Sequence, residues 1–298
     1  MRFLIATPVL NGAVFAEDCV RAVSAAFLGL DYIHVIIDGG SRDGTVEKIA
    51  ALGAPNVVVR SEPGTSMYEA LNLAINTYDA DIFYQINIDD LVLPQAGRFA
   101  EGFLAGHPAI HVVIGACMTI SLDTGYARPK YCLQDQAHPR RLAANLFVPQ
   151  PSAFVRLAVL RKSGGYDTRY RYAADTDLWL KIGAEGARFA FVPEILSVDR
   201  MHGGAARLTA RHLSELAEVR AHWRAGIVAG PGQKFANMLA YTVRGIFGLF
   251  SGEGQSAALS YEGGALSRAL SFLFSGFAAV RLDTVCMSGR YPIQGRIR

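Results

Sequence analysis

The chain is poor in the features on which disulfide scaffolds, nucleic-acid binders and membrane spanners depend. Its four cysteines, Cys19, Cys117, Cys132 and Cys286, lie far apart and form no C-x-x-C pair. That spacing supports neither a zinc site nor a dithiol redox motif and suits a reducing compartment. Charged residues are only 18% of the chain and the net charge is +3. No run of lysine and arginine interleaved with aromatics offers a stripe for tracking phosphates, so nucleic acid is excluded as a partner. Long hydrophobic runs are missing too: the segment from Ala269 to Val280 is bracketed by Arg268 and Arg281, well short of the roughly 20 residues a spanning helix needs. After Met1-Arg2 a brief apolar run reaches Pro8 and Asn11, without the apolar core and small-residue cleavage site of a secretory signal. The expectation is a cytoplasmic protein, peripheral at most on the inner face of the cell membrane.

Hydrophobic residues, at 51% of 298, are sufficient for one large core. In the first part of the chain short apolar runs alternate with helical patterns, the signature of βαβ units around a largely parallel sheet. Strands are expected at Phe3–Ala6, Tyr32–Ile37, Val57–Val59 and Ile82–Ile88. Helices are expected at Phe15–Leu28, from Thr45 (taken as an N-cap) to Leu52, and at Met67–Tyr78. A helix from Pro94 to Ala105 and a strand at Ile110–Ala116 continue the pattern, and residues 118–150 look irregular. Further strands at Ser152–Arg156 and Phe189–Val192 enclose a helix at Asp177–Gly183, and a helix spans Leu208–Arg224. After Gly230-Pro231-Gly232 the composition changes, so a boundary is expected there, with 231–298 as a separate extension. Ligands of such sheets gather at the carboxyl ends of the strands, and each early strand here ends in polar or turn-forming residues.

Three sets of residues at that edge carry chemistry. Asp38, which opens Asp38-Gly39-Gly40-Ser41, is either a reader of nucleobase N–H groups or a turn former. Asp89 and Asp90, straight after an apolar strand, repel each other unless a cation sits between them and a diphosphate; the alternative is a solvated turn. Asp175 and Asp177 stand at the start of an apolar helix, where one can act as a general base and either can be a cap.

In this order the three sets resemble the family 2 glycosyltransferases, which have the GT-A fold, over roughly residues 1–225. The resemblance is carried by Thr7-Pro8-Val9-Leu10-Asn11, Asp38 through Thr45, Ser61-Glu62-Pro63-Gly64 with Tyr68-Glu69-Ala70-Leu71-Asn72, Asp89-Asp90, Val148 through Phe154, Gly164-Gly165-Tyr166-Asp167 and Ala174 through Trp179. It implies an α/β GT-A domain, Rossmann-like, with a mostly parallel sheet flanked by helices, 1–117 being the nucleotide-sugar-binding half and 118–230 the acceptor-binding half; the composition beyond 230 adds the expectation of a C-terminal helical extension. It implies nucleotide-sugar contacts from Thr7, Pro8, Val9, Asn11, Asp38, Ser41, Asn72 and Asp89, with Thr7 and Asp38 at the base and Asp89 near the ribose. Mn²⁺ or Mg²⁺ would rest on Asp90 and His202, and Asp175 would be the catalytic base. A lone histidine such as His202 is otherwise a surface or packing residue.

The implied activity is inverting transfer of one sugar from a nucleoside-diphosphate sugar, UDP-linked by default, to an acceptor hydroxyl in bacterial-type polysaccharide or glycolipid assembly. The acceptor would be a glycan or a lipid-linked sugar. Gly39 and Asn87 stand where many relatives have acids, no Lys or Arg precedes Asn72, and the Gln-x-x-Arg-Trp motif of processive synthases is missing. Neutralisation of the diphosphate would need the metal, Arg98 or arginines from elsewhere. A sugar nucleotidyltransferase, which normally has a basic glycine-rich loop after its first strand, and a degenerate sugar-nucleotide or glycan-binding module are the competing readings. Beyond Pro231, basic residues such as Arg268, Arg281 and Arg296 outnumber acids and accompany several phenylalanines. Helices on an anionic membrane surface, a cap on the catalytic domain and a homo-oligomer contact all suit that composition.

Overall fold

The computed structural model describes residues 1–125, 127–130, 148–203 and 209–224. The expected extension 231–298 lies outside the described residues, as do Leu208, Cys132 and Cys286.

A nine-stranded sheet, in the order β3-β2-β1-β4-β8-β6-β9-β5 with β7 beside β6, forms the middle layer. Its strands are β1 (Arg2–Val9), β2 (Asp31–Asp38), β3 (Val57–Ser61), β4 (Ile82–Gln85), β5 (Leu91–Val92), β6 (Val112–Ser121), β7 (Ala127–Lys130), β8 (Ala153–Arg156) and β9 (Phe189–Met201). The helices are α1 (Ala13–Ala26), α2 (Thr45–Ala51), α3 (Met67–Thr77), α4 (Ala96–Gly106), α5 (Leu157–Lys162), α6 (Ala174–Ala184) and α7 (Ala210–Arg224). β1 runs parallel to β2 and β4, and β2 parallel to β3. β8 then enters antiparallel to both β4 and β6, while β9 lies parallel to β6. The sheet is therefore mixed, parallel in its first half and reversed at β8.

Alternation along β1 shows why both faces must be covered. Phe3 and Ile5 enter one buried cluster with Val20, Val23 and Phe27 of the α1 side. Leu4 and Ala6 enter the other with Leu71 and Ile75 of α3. All four strand residues have no exposed surface, as a central parallel strand buried on both faces requires.

Strand limits expected from apolar runs fall short where pairing continues through polar residues. β9 runs past Val192 to Met201 because it stays paired with β6 as far as Ser121 and Met201. The hairpin strand β7 sits inside the stretch expected to be irregular; its Ala-Arg-Pro-Lys carries no period-two signal. Thr45 is not the cap of α2 but its first residue, with left-handed Gly44 before it. Its hydroxyl oxygen instead accepts from Gly12 N–H at 3.0 Å, closing the start of α1.

One clamp joins the two halves of the sequence. The Asn72 side chain on α3 donates to the Tyr166 carbonyl and accepts from the Tyr166 N–H, both at 2.8 Å. Gly165 makes room for it. A Cβ there would meet Asn72 Oδ1 at 2.3 Å, and the backbone φ is +74°. Gly165→Ala is expected to lower the unfolding free energy by about 2–4 kcal/mol, from strain and loss of the clamp. Urea denaturation checks it, and a loss below about 0.5 kcal/mol would mean that the turn relaxes without cost.

Candidate active site

The carboxyl ends of β1, β2 and β4 and the end of β9 converge on one edge. At the β2 end, Asp38 is 2% exposed, and its carboxylate accepts from the N–H groups of Gly40 and Ser41 at 3.1 Å. Turn formation thus occupies much of the capacity that the sequence offered to a nucleobase. Asn11, at φ 54°, accepts from Arg42 N–H at 2.9 Å and donates its own N–H to Ser41 Oγ at 2.8 Å. Asn11 and Ser41 therefore stitch the first loop to the second. Pro8 and Val9 close the strand pair opposite Ile37 and Asp38. A side chain at Gly39 would approach the Thr65 carbonyl to 3.2 Å, so the third loop passes close to this glycine.

Thr7 is placed differently from the expectation. Its hydroxyl is in the interior, hydrogen-bonded to His34 Nε2 at 2.8 Å, and neither residue has exposed surface. Burial pulls the His34 pKa from 6.5 down to about 3, so the ring is neutral. Asn72 likewise spends its amide on the Tyr166 clamp. Arg98 donates to the Leu28 carbonyl at 3.1 Å, beyond the end of α1 opposite Phe15, away from this edge.

The acidic pair divides into an inner and an outer member. Asp90 is 4% exposed; it accepts from Arg200 N–H at 3.1 Å and from Asn87 Nδ2 at 3.3 Å. Burial, and after it the neighbouring Asp89 and Asp199 charges, hold its carboxyl well above the usual carboxylate range. Asp89 is the solvent-reaching member, with Oδ2 3.0 Å from His202 Nε2. Behind both lies Arg200, with a side chain 1% exposed and Nη1 2.8 Å from Asp18 Oδ2. Its Nε donates to the Asp89 carbonyl, and its guanidinium lies over the Phe15 ring at 4.8 Å. That ring is itself 4.8 Å from His202. Sequence reasoning missed Arg200, because an arginine near the end of an apolar strand ordinarily signals the surface.

Asp175 lies in the first turn of α6, half-buried, with Oδ1 accepting from Thr176 N–H at 2.6 Å. Burial raises its pKa above 3.8, against the lowering effects of that hydrogen bond and of the His212 charge. Asp177 instead accepts from Trp223 Nε1 at 2.8 Å. A chain of polar side chains links the regions. Tyr166 Oη donates to Gln85 Oε1 at 2.8 Å, Gln85 Nε2 to Asn87 Oδ1 at 3.2 Å, and Asn87 Nδ2 to Asp90. Tyr166 also stacks on Tyr68 at 5.2 Å, and both phenols feel the Asp175 charge. Asn87 thus uses both ends of its amide, which an acid at that position could not do. Cys19 and Cys117 are buried, and burial pushes both thiols up to about 12, leaving them without thiolate chemistry.

Among the described residues no three His, Cys, Asp or Glu side chains cluster as a complete metal cage. Asp89 and His202 could together supply two ligands, and Mn²⁺ or Mg²⁺ commonly completes such a pair with water and substrate phosphate oxygens. The residues present therefore fit a divalent ion that a diphosphate helps to hold. No helix among the described residues is long and apolar enough to cross a membrane.

The family model described as "Glycosyl transferase family 2" matches residues 4–162. The amylovoran biosynthesis glycosyltransferase AmsE of Erwinia amylovora is 24% identical over 185 residues, 60% of this chain and 68% of that protein. The chain spans 56% to 69% of the length of the curated relatives it matches. In three dimensions it is similar to S. aureus TarS 1–349 in complex with UDP-GlcNAc, with TM-score 0.62, 14% identity, and coverage of 98% of this chain and 76% of that one. It is also similar to the Pyrobaculum calidifontis mannosyltransferase PcManGT in complex with GDP-Man and Mn²⁺, with TM-score 0.54, 16% identity, and coverage of 92% and 87%. The fold is that of the GT-A glycosyltransferases.

Two outcomes test this geometry. Because the folded chain holds His34 neutral, it binds fewer protons than the unfolded chain between pH 6.5 and about 3. Stability is therefore expected to fall as pH drops through that window, by up to about 1.4 kcal/mol per pH unit. His34→Gln should flatten the slope in denaturant titrations from pH 7 to pH 5, and an unchanged slope would clear His34. Asn87→Asp should cost about 1–3 kcal/mol of stability at pH 7 by setting a second carboxylate against Asp90. Equal denaturation midpoints would show that the Asn87 bridge is dispensable.

Proposed function

The chain belongs to glycosyl transferase family 2, and we propose that it moves one sugar from a nucleoside-diphosphate sugar to an acceptor hydroxyl with inversion, using a divalent metal. The observation that carries this reading is the presence, in one GT-A fold, of a solvent-reaching Asp89–His202 couple and a half-buried carboxyl at Asp175. The nucleotide lies over the loops at the ends of β1 and β2, where Pro8, Val9, Asn11, Asp38 and Ser41 shape the surface. Metal contact falls to Asp89 and His202. Asp90, which the sequence suggested as the ligand, lies behind Asp89 and shapes the site from within. When bound, Mn²⁺ or Mg²⁺ supplies positive charge to the diphosphate.

Asp175 takes the proton of the acceptor hydroxyl as that oxygen attacks the anomeric carbon. The bond from carbon to diphosphate oxygen breaks on the opposite face, and the nucleoside diphosphate leaves with its electrons. A single displacement inverts the centre. Burial helps the base, because a carboxyl raised towards working pH binds the transferred proton more strongly. A UDP-sugar is the default donor, in keeping with the UDP-GlcNAc bound to the TarS structure, and a GDP-sugar is the alternative. The acceptor is a glycan or lipid-linked sugar of polysaccharide assembly, the setting in which AmsE is named.

The test is turnover of UDP-GlcNAc, UDP-glucose and GDP-mannose with MnCl₂, read as nucleotide release. Asp175→Asn is expected to lower kcat at least about 100-fold while nucleotide affinity stays within about twofold. Retained turnover would remove Asp175 from the role of base, and nucleotide release unaffected by chelation would remove the metal.

A further inference from the structure

Helix α6 holds Asp175 in its first turn but begins without a cap of its own. Its N-cap residue is Ala173, which has no side-chain oxygen to offer. The acceptor for the N–H groups that lead into the helix comes from α7, beyond the residues matched by the family model. Glu215 Oε2 accepts from the N–H of Tyr172 at 2.7 Å and from that of Ala173 at 3.3 Å. Glu215 thereby does from another helix what the acidic residue of a capping box does from within, taking the N–H of the N-cap residue. It is 8% exposed, and Arg211 Nε holds its other oxygen at 3.3 Å.

The rest of α7 fixes this contact in register. Val219 is fully buried, and Leu216 and Trp223 pack on the same cluster as Leu178. Trp223 bonds Asp177, and His212 stacks on the Tyr172 ring at 5.7 Å. Glu215 is thus the polar centre of a contact that sets where the chain turns into α6, two residues before Asp175. From this we propose that Glu215 is a positioning residue for Asp175, and that α7 is part of the catalytic unit as the element that aims the base. The proposal rests on the reading of Asp175 as the base.

A purely structural tie would change stability alone, whereas a positioning residue changes the environment of the carboxyl it aims. The groups facing Asp175 are Tyr68 on α3, Tyr166 after α5, Thr176 on its own helix and His212 on α7. Freeing residues 172–175 admits water to that enclosure. The acid limb of the kcat–pH profile then moves to lower pH, because burial is what raises Asp175.

The experiment compares wild type, Glu215→Ala, Glu215→Gln, Asp175→Asn and Ile49→Val in full-length protein. Each is assayed for nucleotide release from UDP-GlcNAc, UDP-glucose and GDP-mannose with MnCl₂ across pH 4.5 to 8, with UDP and GDP affinities by calorimetry. Glu215→Ala is expected to lower kcat about tenfold, with nucleotide affinity within twofold and the acid limb displaced to lower pH. Glu215→Gln, which keeps an acceptor oxygen, should restore kcat to within threefold of wild type. Ile49→Val, a core change on α2, should lower the melting temperature and leave the acid limb in place. Should Glu215→Ala be recovered unfolded, Glu215→Asp, with its shorter reach, replaces it. Wild-type kcat and acid limb in a folded Glu215 variant, with Asp175→Asn inactive, would overturn the positioning role alone. An active Asp175→Asn would overturn the base and the positioning role together.

Discussion

Arg200 is sunk among Asp18, Asp89 and Asp90, and the site edge depends on that arrangement. A guanidinium with a side chain 1% exposed would cost several kcal/mol to bury alone, and so would the Asp90 carboxylate. The guanidinium is tolerable because Asp18 pairs with its Nη1 and the Asp89 backbone carbonyl takes its Nε, while the Arg200 backbone N–H and the Asn87 amide satisfy Asp90. The consequence is a division of labour between adjacent aspartates. Asp90 is turned inward as part of the framework, and the Asp89 carboxylate is left beside His202 at the solvent. Phe15 touches both residues, its ring centroid 4.8 Å from the Arg200 guanidinium and 4.8 Å from the His202 ring.

A second constraint links this edge to the acceptor side. The Tyr166–Gln85–Asn87–Asp90 chain of hydrogen bonds and the Asn72 clamp both cross from the parallel half of the sheet to the segment after β8. The reversal of direction at β8 makes that crossing possible, because it brings the turn at residues 164–166 back over α3. The placement of Asp89, Asp90 and Asp175 is thus carried by ordinary buried polar contacts, whose cost when broken exceeds their net worth when made. The same logic extends to Glu215, which from α7 accepts the N–H groups of Tyr172 and Ala173 at the entry to α6.

Much of the fold was legible in the chain because its strands are central and apolar: Phe3–Ala6, Tyr32–Ile37 and Val57–Val59 all lie within observed strands. What escaped was set by partners distant in sequence. The extension of β9 to Met201 follows from β6, and β7 from the hairpin it makes with β6. At the site, Asp89, His202 and Asp175 are placed where chemistry is possible, since adjacent acids after a strand and a carboxyl at a helix start are local patterns. Thr7 and Asn72 were read from a motif, and their side chains prove committed to His34 and Tyr166, contacts with no local signature. Arg200 and Glu215 carry no sequence signal at all, because each acts on residues more than 40 positions away.

The most direct measurement is calorimetric binding of UDP and GDP to the wild type and to Asp89→Asn, each with and without MnCl₂. The account predicts that Mn²⁺ tightens binding of at least one of these nucleotides to the wild type by tenfold or more and that Asp89→Asn abolishes the gain. Binding that ignores Mn²⁺, or a gain that survives the Asp89 substitution, would contradict it.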